Sequence, residues 1–246
     1  MQNKVTLVTG GAKRVGAAIV KRLHREGMNV MIHYLHSHAE AHTLRDELNL
    51  IRKNSANAMQ GDLPQIQDLP KLVEHTLKTF GRLDALVNNA SAFQATPVGS
   101  ISETNWNDLI GANLKAPLFL SQAAAPALKQ NNGCIVNIID IHSERPLKNY
   151  VVYSIAKSAL IGLTRSLSIE LGPEVRVNGV SPGVAAWPAD GGHFDAKEQA
   201  RIINQTSLKR AGTTDDIAGA VKFLVCDATY MTGEIINVDG GRSINM

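Results

Sequence analysis

Residues 5–16 read VTLVTGGAKRVG, and this stretch decides the fold of the chain. The apolar segment Val5–Val8 predicts a short strand, and a run with helical periodicity begins at Gly16. Gly10, Gly11 and Gly16 allow the tight turn and the close backbone approach that a pyrophosphate requires. Ordinary strand-to-helix turns carry such glycines too, but the position directly after the first strand favours a dinucleotide-binding turn.

Apolar segments typical of strands alternate with helical segments along the rest of the chain. Strands are predicted at Val5–Val8, Asn29–Tyr34 and residues 57–60, 85–87, 134–139, 176–180 and 234–238, and helices at residues 16–25, 39–52, 66–80, 106–129 and 152–171. This alternation predicts an α/β fold, a single-domain Rossmann-type doubly wound parallel sheet of about seven strands with helices on both faces. The one domain spans residues 1–246, and a break in periodicity over residues 183–196 predicts a substrate loop near residues 183–200.

Composition narrows the class of protein. The chain has 246 residues, of which 44% are hydrophobic and 19% charged, so disorder is not expected. A net charge of +3 is too small and too evenly spread to indicate nucleic-acid binding. The first strand begins directly after residues 1–4 and no apolar run reaches membrane-spanning length, so neither a signal sequence nor a membrane contact is expected. Cys134 and Cys226 lie in apolar surroundings and are expected to be reduced, which favours a cytoplasmic location.

The end of the second predicted strand bears on the choice of nicotinamide cofactor. A site for NAD usually places an acid there, whereas a site for NADP supplies cations. Residues 33–38 read HYLHSH with no carboxylate before Glu40, and Lys13 and Arg14 project from the glycine turn. This pattern predicts NADPH, although a histidine-rich surface turn or an adventitious metal site fits the same residues. Asp62, after the third strand, is interpreted either as an adenine contact or as a helix cap.

Tyr153 and Lys157 suggest acid–base chemistry. They are four residues apart on a predicted helix, so they share one face of it. A nearby cation favours the phenolate and is expected to lower the pKa of Tyr153, which makes the phenol a usable general acid. The alternative is a packed tyrosine whose lysine stays in solvent.

The chain resembles the short-chain dehydrogenase/reductase family over essentially its whole length. The matching motifs are TGxxxxxG at residues 9–16, NNA at residues 88–90, Asn113, Tyr153 with Lys157, PG at residues 182–183 and VDGG at residues 238–241. The resemblance implies that Asn113 holds a proton-relay water through a local helix distortion and that Lys157 contacts the nicotinamide ribose. It also implies a homotetramer in which the predicted helices 106–129 and 152–171 pack against their symmetry mates.

Three departures from the family pattern resemble one subfamily, the pteridine reductases. Arg14 replaces the middle glycine of the turn, Ser91 replaces the glycine after NNA, and Asp140 replaces a serine. In that subfamily the arginine helps to hold the cofactor phosphates, and residues matching Ser91 and Phe93 frame the pterin, whose ring stacks on the phenylalanine. Members usually carry an arginine where this chain has His36.

The acid at position 140 favours a pterin over a carbonyl substrate. A carboxylate repels the alkoxide that forms when a carbonyl is reduced, whereas a pterin presents N–H donors to it and nitrogens that need a proton. The sequence therefore predicts an NADPH-dependent reductase of pterins or dihydrofolate, with proton delivery by Tyr153 and Asp140. The alternatives are a reductase of 3-oxoacyl or other carbonyl substrates, a catalytically weak NADPH-binding protein, and, for Asp140 itself, a simple helix or turn cap. Trp187 is interpreted either as a cover of the pocket or as an ordinary buried tryptophan.

These inferences define three sets of site residues. The predicted catalytic residues are Asp140, Tyr153, Lys157 and Asn113. The residues predicted to bind NADPH or NADP⁺ are Gly10, Arg14, Val15, Gly16, His33, Tyr34, His36, Ser37, Asp62, Leu63, Asn89, Ala90, Lys157, Pro182 and Gly183. The residues predicted to bind substrate are Ser91, Phe93, Asp140, Tyr153 and Trp187, and no metal ligand is predicted.

Overall fold

The structure is a computed structural model that describes residues 1–185, 187 and 195–245. Seven parallel strands form one sheet over the described residues, in the order β3-β2-β1-β4-β5-β6-β7. The strands are β1 Val5–Val8, β2 Asn29–Tyr34, β3 Ala56–Gln60, β4 Ala85–Asn88, β5 Cys134–Ile138, β6 Arg176–Pro182 and β7 Ile235–Val238. Every pairing is parallel, which confirms the predicted doubly wound α/β sheet.

Helices connect successive strands and cover both faces of the sheet. They are α1 Arg14–Arg25, α2 His38–Ile51, α3 Leu69–Phe80, α4 Glu103–Ile110, α5 Ala116–Gln130, α6 Val151–Glu170, α7 Ala196–Gln205, α8 Thr214–Lys222 and the short α9 Arg242–Asn245. One apolar core packs α1, α2 and α8 against the sheet, and a second packs α3 and α5 against the opposite face. No helix in the described part of the chain combines the length and the apolar character needed to cross a bilayer.

Two predicted segments differ from the structure. The helix predicted over residues 106–129 is interrupted, because α4 and α5 are joined by a π-helical turn at Gly111–Lys115. The loop predicted near residues 183–200 extends too far, since α7 begins at Ala196. The Asp195 side chain caps this helix by accepting a hydrogen bond from the Glu198 N–H at 2.8 Å. Residues 186 and 188–194, which belong to the predicted loop, lie outside the described residues.

Cys134 is buried in β5 and Cys226 is partly buried, and both are free thiols, as predicted. Burial raises the pKa of the Cys134 thiol to about 11, so this residue stays a neutral part of the core. The carboxyl ends of the parallel strands lie at one edge of the sheet, and most of the predicted site residues follow those ends.

Candidate active site

The turn between β1 and α1 has the backbone geometry of a phosphate cradle. Gly10 has a φ of +60°, and Arg14, at the position of the missing glycine, also adopts a left-handed φ of +50°. A side chain at Gly16 would collide with the Gly10 carbonyl and come within 2.7 Å of the Asn89 amide nitrogen. Only glycine fits there, so the turn closes tightly against the start of α1, as in turns that bind the pyrophosphate of a dinucleotide.

The cradle is fixed to the end of β4. The Asn89 side chain donates hydrogen bonds to the Thr9 carbonyl at 2.8 Å and to the Gly10 carbonyl at 3.1 Å. The Thr9 hydroxyl in turn accepts from the backbone N–H groups of Asn89 and Ala90 at 2.9 and 3.0 Å. The structure therefore brings the predicted cofactor residues of β4 and of the glycine turn into direct contact.

His33, in β2, supports the glycine turn through hydrogen bonds. It does not act as a cation that binds a phosphate. Its Nδ1 accepts a hydrogen bond from the Gly10 N–H at 3.1 Å, and its Nε2 donates to the Gly61 carbonyl at 3.1 Å. Burial lowers the pKa of His33 to about 4, so the imidazole is neutral at physiological pH. His33 positions the turn and supplies no charge to a phosphate.

The residues after β2 form a histidine-rich surface. His36 is exposed and Ser37 half-buried, while Tyr34 is buried and makes edge contacts with the rings of His38 and His42. Lys13 Nζ forms an ion pair with Glu40 Oε1 at 2.5 Å, and the carboxylate offsets the positive charge of the lysine. The preference for NADPH stays a prediction, based on Arg14 and on the absence of a carboxylate between Tyr34 and Glu40.

The loop after β3 does not place Asp62 as a helix cap. The side chain of Asp62 is exposed, its backbone carbonyl accepts from Gln65, and the short helical turn at Ile66–Asp68 has no side-chain cap. The cap interpretation is therefore wrong, and the adenine contact stays a prediction. Leu63 is buried in the core beside this loop. In the described part of the chain no three His, Cys, Asp or Glu side chains are grouped as metal ligands.

Asp140 and Tyr153 meet at the end of β5. The Tyr153 hydroxyl donates a hydrogen bond to Asp140 Oδ2 at 2.7 Å, and Asp140 Oδ1 accepts from the His142 N–H at 2.8 Å. The carboxylate thus caps the short turn at Ile141–Ser143 and also binds the phenol. The cap interpretation and the catalytic interpretation are compatible, because each uses a different oxygen.

The charge environment of Tyr153 differs from the prediction. Burial raises the pKa of Tyr153 well above its usual value, the charge of Asp140 and its hydrogen bond raise it further, and a hydrogen bond with Ser91 acts in the opposite direction. Burial also lowers the pKa of Lys157 to about 8, against the attraction of Asp140. The prediction that Lys157 lowers the pKa of Tyr153 is wrong for the chain itself, because desolvation and a neighbouring anion outweigh the lysine.

Lys157 is buried on the same face of α6 as Tyr153, so the alternative of a lysine in solvent is wrong. Its Nζ donates to the Ile138 carbonyl at 2.9 Å and lies 5.8 Å from the centre of the Tyr153 ring. The hydrogen bond to the end of β5 fixes the ammonium close to the Asp140–Tyr153 pair.

Asn113 lies in the π-helical turn, which confirms the predicted local helix distortion. Its Nδ2 donates to the carbonyls of Ala92 and Leu109, both at 2.9 Å, and its Oδ1 accepts from the Ser91 hydroxyl at 2.6 Å. The fully buried asparagine therefore holds the segment 91–93 in place. That it also holds a relay water stays a prediction.

Phe93 lies at the rim of the site. Its ring stacks on Tyr150 with centroids 4.5 Å apart, and it meets the edge of the Tyr153 ring at 4.9 Å. The side chain is 45% exposed, so part of it is accessible to a planar ligand. Tyr150 was not predicted as a site residue, although its spacing of three residues from Tyr153 was the available signal.

The far side of the site is built from β6 and the segment after β7. Gly183 donates its N–H to the Val238 carbonyl at 3.0 Å, and a side chain at this position would lie 2.8 Å from the Asp239 Cα. Pro182, the last residue of β6, is buried. Trp187 is half-buried, and its predicted role in covering the pocket stays a prediction.

Comparisons with known proteins agree with this geometry. A family model described as enoyl-(acyl carrier protein) reductase matches residues 10–243. Pteridine reductase 1 of Leishmania tarentolae is 38% identical, over 98% of this chain and 96% of the relative. Granaticin polyketide synthase putative ketoacyl reductase 2 of Streptomyces violaceoruber is 32% identical, over 98% and 96% of the two chains. The 3-oxoacyl-(acyl-carrier-protein) reductase FabG of Staphylococcus epidermidis is also 32% identical, over 97% and 98%.

Proposed function

The chain is an oxidoreductase that belongs to the short-chain dehydrogenase/reductase family, and we propose that it is an NADPH-dependent reductase of dihydropterins or dihydrofolate. The observation that carries the proposal is the carboxylate of Asp140, hydrogen-bonded to the Tyr153 hydroxyl at 2.7 Å. Pteridine reductase 1 of Leishmania tarentolae, with 38% identity over nearly the whole chain, supports the same substrate class.

The charge at position 140 is the physical basis for choosing between substrates. Reduction of a carbonyl develops an oxyanion beside the proton donor, and two like charges about 4 Å apart repel by about 4 kcal/mol near a protein surface. A pterin places N–H and amino donors beside the carboxylate instead, and these donors bind it. Asp140 therefore counts against the 3-oxoacyl substrates suggested by the two relatives with 32% identity.

The residues of the site have separable roles in this reaction. The cradle at Gly10 and Gly16, with Arg14 beside it, would hold the phosphates of NADPH, and the bound cofactor supplies the hydride. Tyr153 stays protonated at physiological pH because its pKa is raised, and its proton lies between the phenol and Asp140 Oδ2. The pair is thus arranged to release one proton to a nitrogen placed beside it.

Phe93 and Ser91 complete the substrate side of the proposal. Phe93 offers the exposed part of its ring to a planar heterocycle, while Tyr150 supports the ring from its stacked face. Ser91 is oriented by its hydrogen bond to Asn113. A flat, hydrogen-bonding ring suits this pairing of an aromatic surface with polar groups better than a flexible acyl chain does.

The preference for NADPH over NADH, homotetrameric assembly and a cytoplasmic location belong to the same proposal. Arg14 supplies positive charge near the end of β2, where no carboxylate lies between Tyr34 and Glu40. The helices expected at subunit contacts carry exposed apolar side chains, at Leu118 in α5 and at Ile155 and Ile169 in α6.

Steady-state NADPH oxidation tests the proposal. The purified enzyme is assayed with dihydrobiopterin, dihydrofolate and an acetoacetyl thioester, and Tyr153→Phe serves as the control for a reaction at this site. We expect kcat/KM for the best pterin to exceed that for the thioester by at least about a hundredfold, or about 2.7 kcal/mol. Faster turnover of the thioester would replace the proposal by a carbonyl reductase, and binding of NADPH without any turnover would leave only a binding protein.

A further inference from the structure

Arg242 is a buried arginine beside the candidate active site that the sequence did not indicate. Arg242 is 4% exposed, and its side-chain Nε has no hydrogen-bond partner. A buried guanidinium with an unsatisfied donor is costly, because the group has lost water without gaining a full set of acceptors. Such a side chain suggests that a ligand completes its hydrogen bonds.

The backbone around Arg242 holds the side chain in a defined position. Asp239 accepts hydrogen bonds from the Gly241 N–H at 2.9 Å and from the Ser243 N–H at 2.7 Å. Arg145, which follows the turn capped by Asp140, donates from its Nε to the Ser243 carbonyl at 3.2 Å. The start of α9 is therefore fastened to the loop that carries the catalytic carboxylate.

The charged groups that act on Arg242 belong to the active-site carboxylate, to α7 and to its own turn. Burial lowers the pKa of Arg242, and the negative charge of Asp140 is the strongest of the opposing influences. The other charges that act on it are Arg201 and Glu198 in α7 and Asp239 in its own turn. Arg242 is thus a buried guanidinium within electrostatic range of both Asp140 and α7.

None of the three neighbouring acids neutralises Arg242 by direct hydrogen bonding. Both oxygens of Asp140 are bonded to Tyr153 and His142, and both oxygens of Asp239 are bonded within its turn. Both oxygens of Glu198 accept from the guanidinium of Arg201. In the described structure none of these acids accepts a hydrogen bond from Arg242, so its Nε is left for an acceptor that a ligand could supply.

We propose that Arg242 is a specificity-determining residue that binds an oxygen acceptor on the side chain of the pterin substrate. The inference rests on the proposed function. A ring that lies against Phe93 with its reacting nitrogen at Tyr153 has its donors at Asp140, and a substituent that passes Asp140 meets Arg242. The recognised group is a hydroxyl or a carboxylate oxygen, both of which accept hydrogen bonds from a guanidinium.

The experiment compares Arg242→Met and Arg242→Lys with the wild type on three dihydropterins. 6-Methyl-dihydropterin has no side-chain oxygen, dihydrobiopterin carries hydroxyl groups, and dihydrofolate carries carboxylates. Arg210→Met is the matched control, because Arg210 is an exposed arginine that pairs with Asp216. Thermal unfolding and NADPH titration establish that each variant is folded and binds the cofactor.

We expect Arg242→Met to lower kcat/KM about tenfold or more for an oxygen-bearing substrate, which corresponds to about 1.4 kcal/mol. For 6-methyl-dihydropterin the change should stay below about twofold, and the loss should lie mainly in KM because the contact is made in the bound ground state. Arg242→Lys, which keeps a charge and a donor, should recover part of the loss. Arg210→Met should match the wild type on all three substrates.

The pattern of losses identifies the group that Arg242 binds. A loss with dihydrobiopterin alone assigns a hydroxyl, and a loss with dihydrofolate alone assigns a carboxylate. An equal loss on all three substrates, or no loss on any, overturns the role of Arg242 while leaving the proposed function intact. Absence of NADPH oxidation by the wild type with all three pterins overturns the proposed function itself. If Arg242→Met does not fold, an unchanged ratio of the three activities in Arg242→Lys refutes the inference.

Discussion

Replacing Asp140 by asparagine tests the proposed reaction most directly. The substitution keeps the shape of the side chain and removes its charge and its capacity to share a proton. In the structure both oxygens are acceptors, Oδ2 for the Tyr153 hydroxyl at 2.7 Å and Oδ1 for the His142 N–H at 2.8 Å. An asparagine can satisfy only one of these donors, since its other end is an NH₂ group.

The expected loss follows from that mismatch. If the asparagine keeps the backbone cap at His142, its NH₂ group faces the Tyr153 hydroxyl and the shared proton is lost. Removal of the negative charge should also lower the pKa of Tyr153, because Asp140 contributes to raising it, and this change offsets part of the loss. The loss of acid–base assistance should reduce kcat for a dihydropterin by about 10²–10⁴-fold, equivalent to about 2.7–5.5 kcal/mol of activation free energy.

Steady-state kinetics of Asp140→Asn and of four further variants separates this role from a structural one. Tyr153→Phe should lose a comparable or greater factor, and the double variant should lose little more, since the two residues act as one unit. Ser143→Ala is the matched control, because its hydroxyl donates to the Asp140 backbone carbonyl at 2.5 Å and carries no charge. Asp140→Ser should depress pterin reduction. Wild-type kinetics in a folded Asp140→Ser enzyme would refute the reasoning, because the carboxylate would then serve only as a cap.

Three further predictions concern the cofactor, the substrate and the assembly. The ratio of kcat/KM for NADPH to that for NADH should be at least about ten, or about 1.4 kcal/mol, and Arg14→Ala should reduce it; equal efficiencies in the wild type would contradict the assignment. Phe93→Ala should lower kcat/KM for a dihydropterin by about two- to tenfold, the value of one aromatic contact, and leave the NADPH dissociation constant nearly unchanged. Unchanged pterin kinetics would exclude stacking on Phe93. Light scattering at micromolar concentration should give four times the 26.5 kDa mass of the chain, and Ile155→Asp should shift this towards smaller species, whereas a monomeric wild type would exclude the tetramer.

The sequence determined the fold because the relevant signals are local. Strand and helix periods are properties of short segments, and their alternation leaves few topologies for a parallel sheet. Gly10 and Gly16 also act locally, since the turn that they form depends on backbone freedom at those positions. The end of the predicted loop was missed although a local signal was present, namely the N-cap at Asp195.

The residue types of the site were also predictable, whereas their charge states were not. Asp140 is hydrogen-bonded to Tyr153 and Lys157 lies beside the Tyr153 ring, because the segments after the carboxyl ends of parallel strands meet at one edge of the sheet, while Asn113 is bonded to Ser91. The pKa of Tyr153 is raised where the sequence predicted that it would be lowered. Desolvation depends on everything packed around a group, and no spacing along the chain encodes it.

Only the tertiary structure showed which distant residues share an environment. Arg242 lies about a hundred positions from Asp140 along the chain, yet the charge of Asp140 acts on it. Phe93 and Tyr150 stack across the site although they belong to different βα units. His33 supports the glycine turn as a neutral, buried group, whereas the sequence grouped it with the residues that contact the cofactor. In each case the deciding quantity is burial or a contact between distant segments, which arises only when the sheet has assembled.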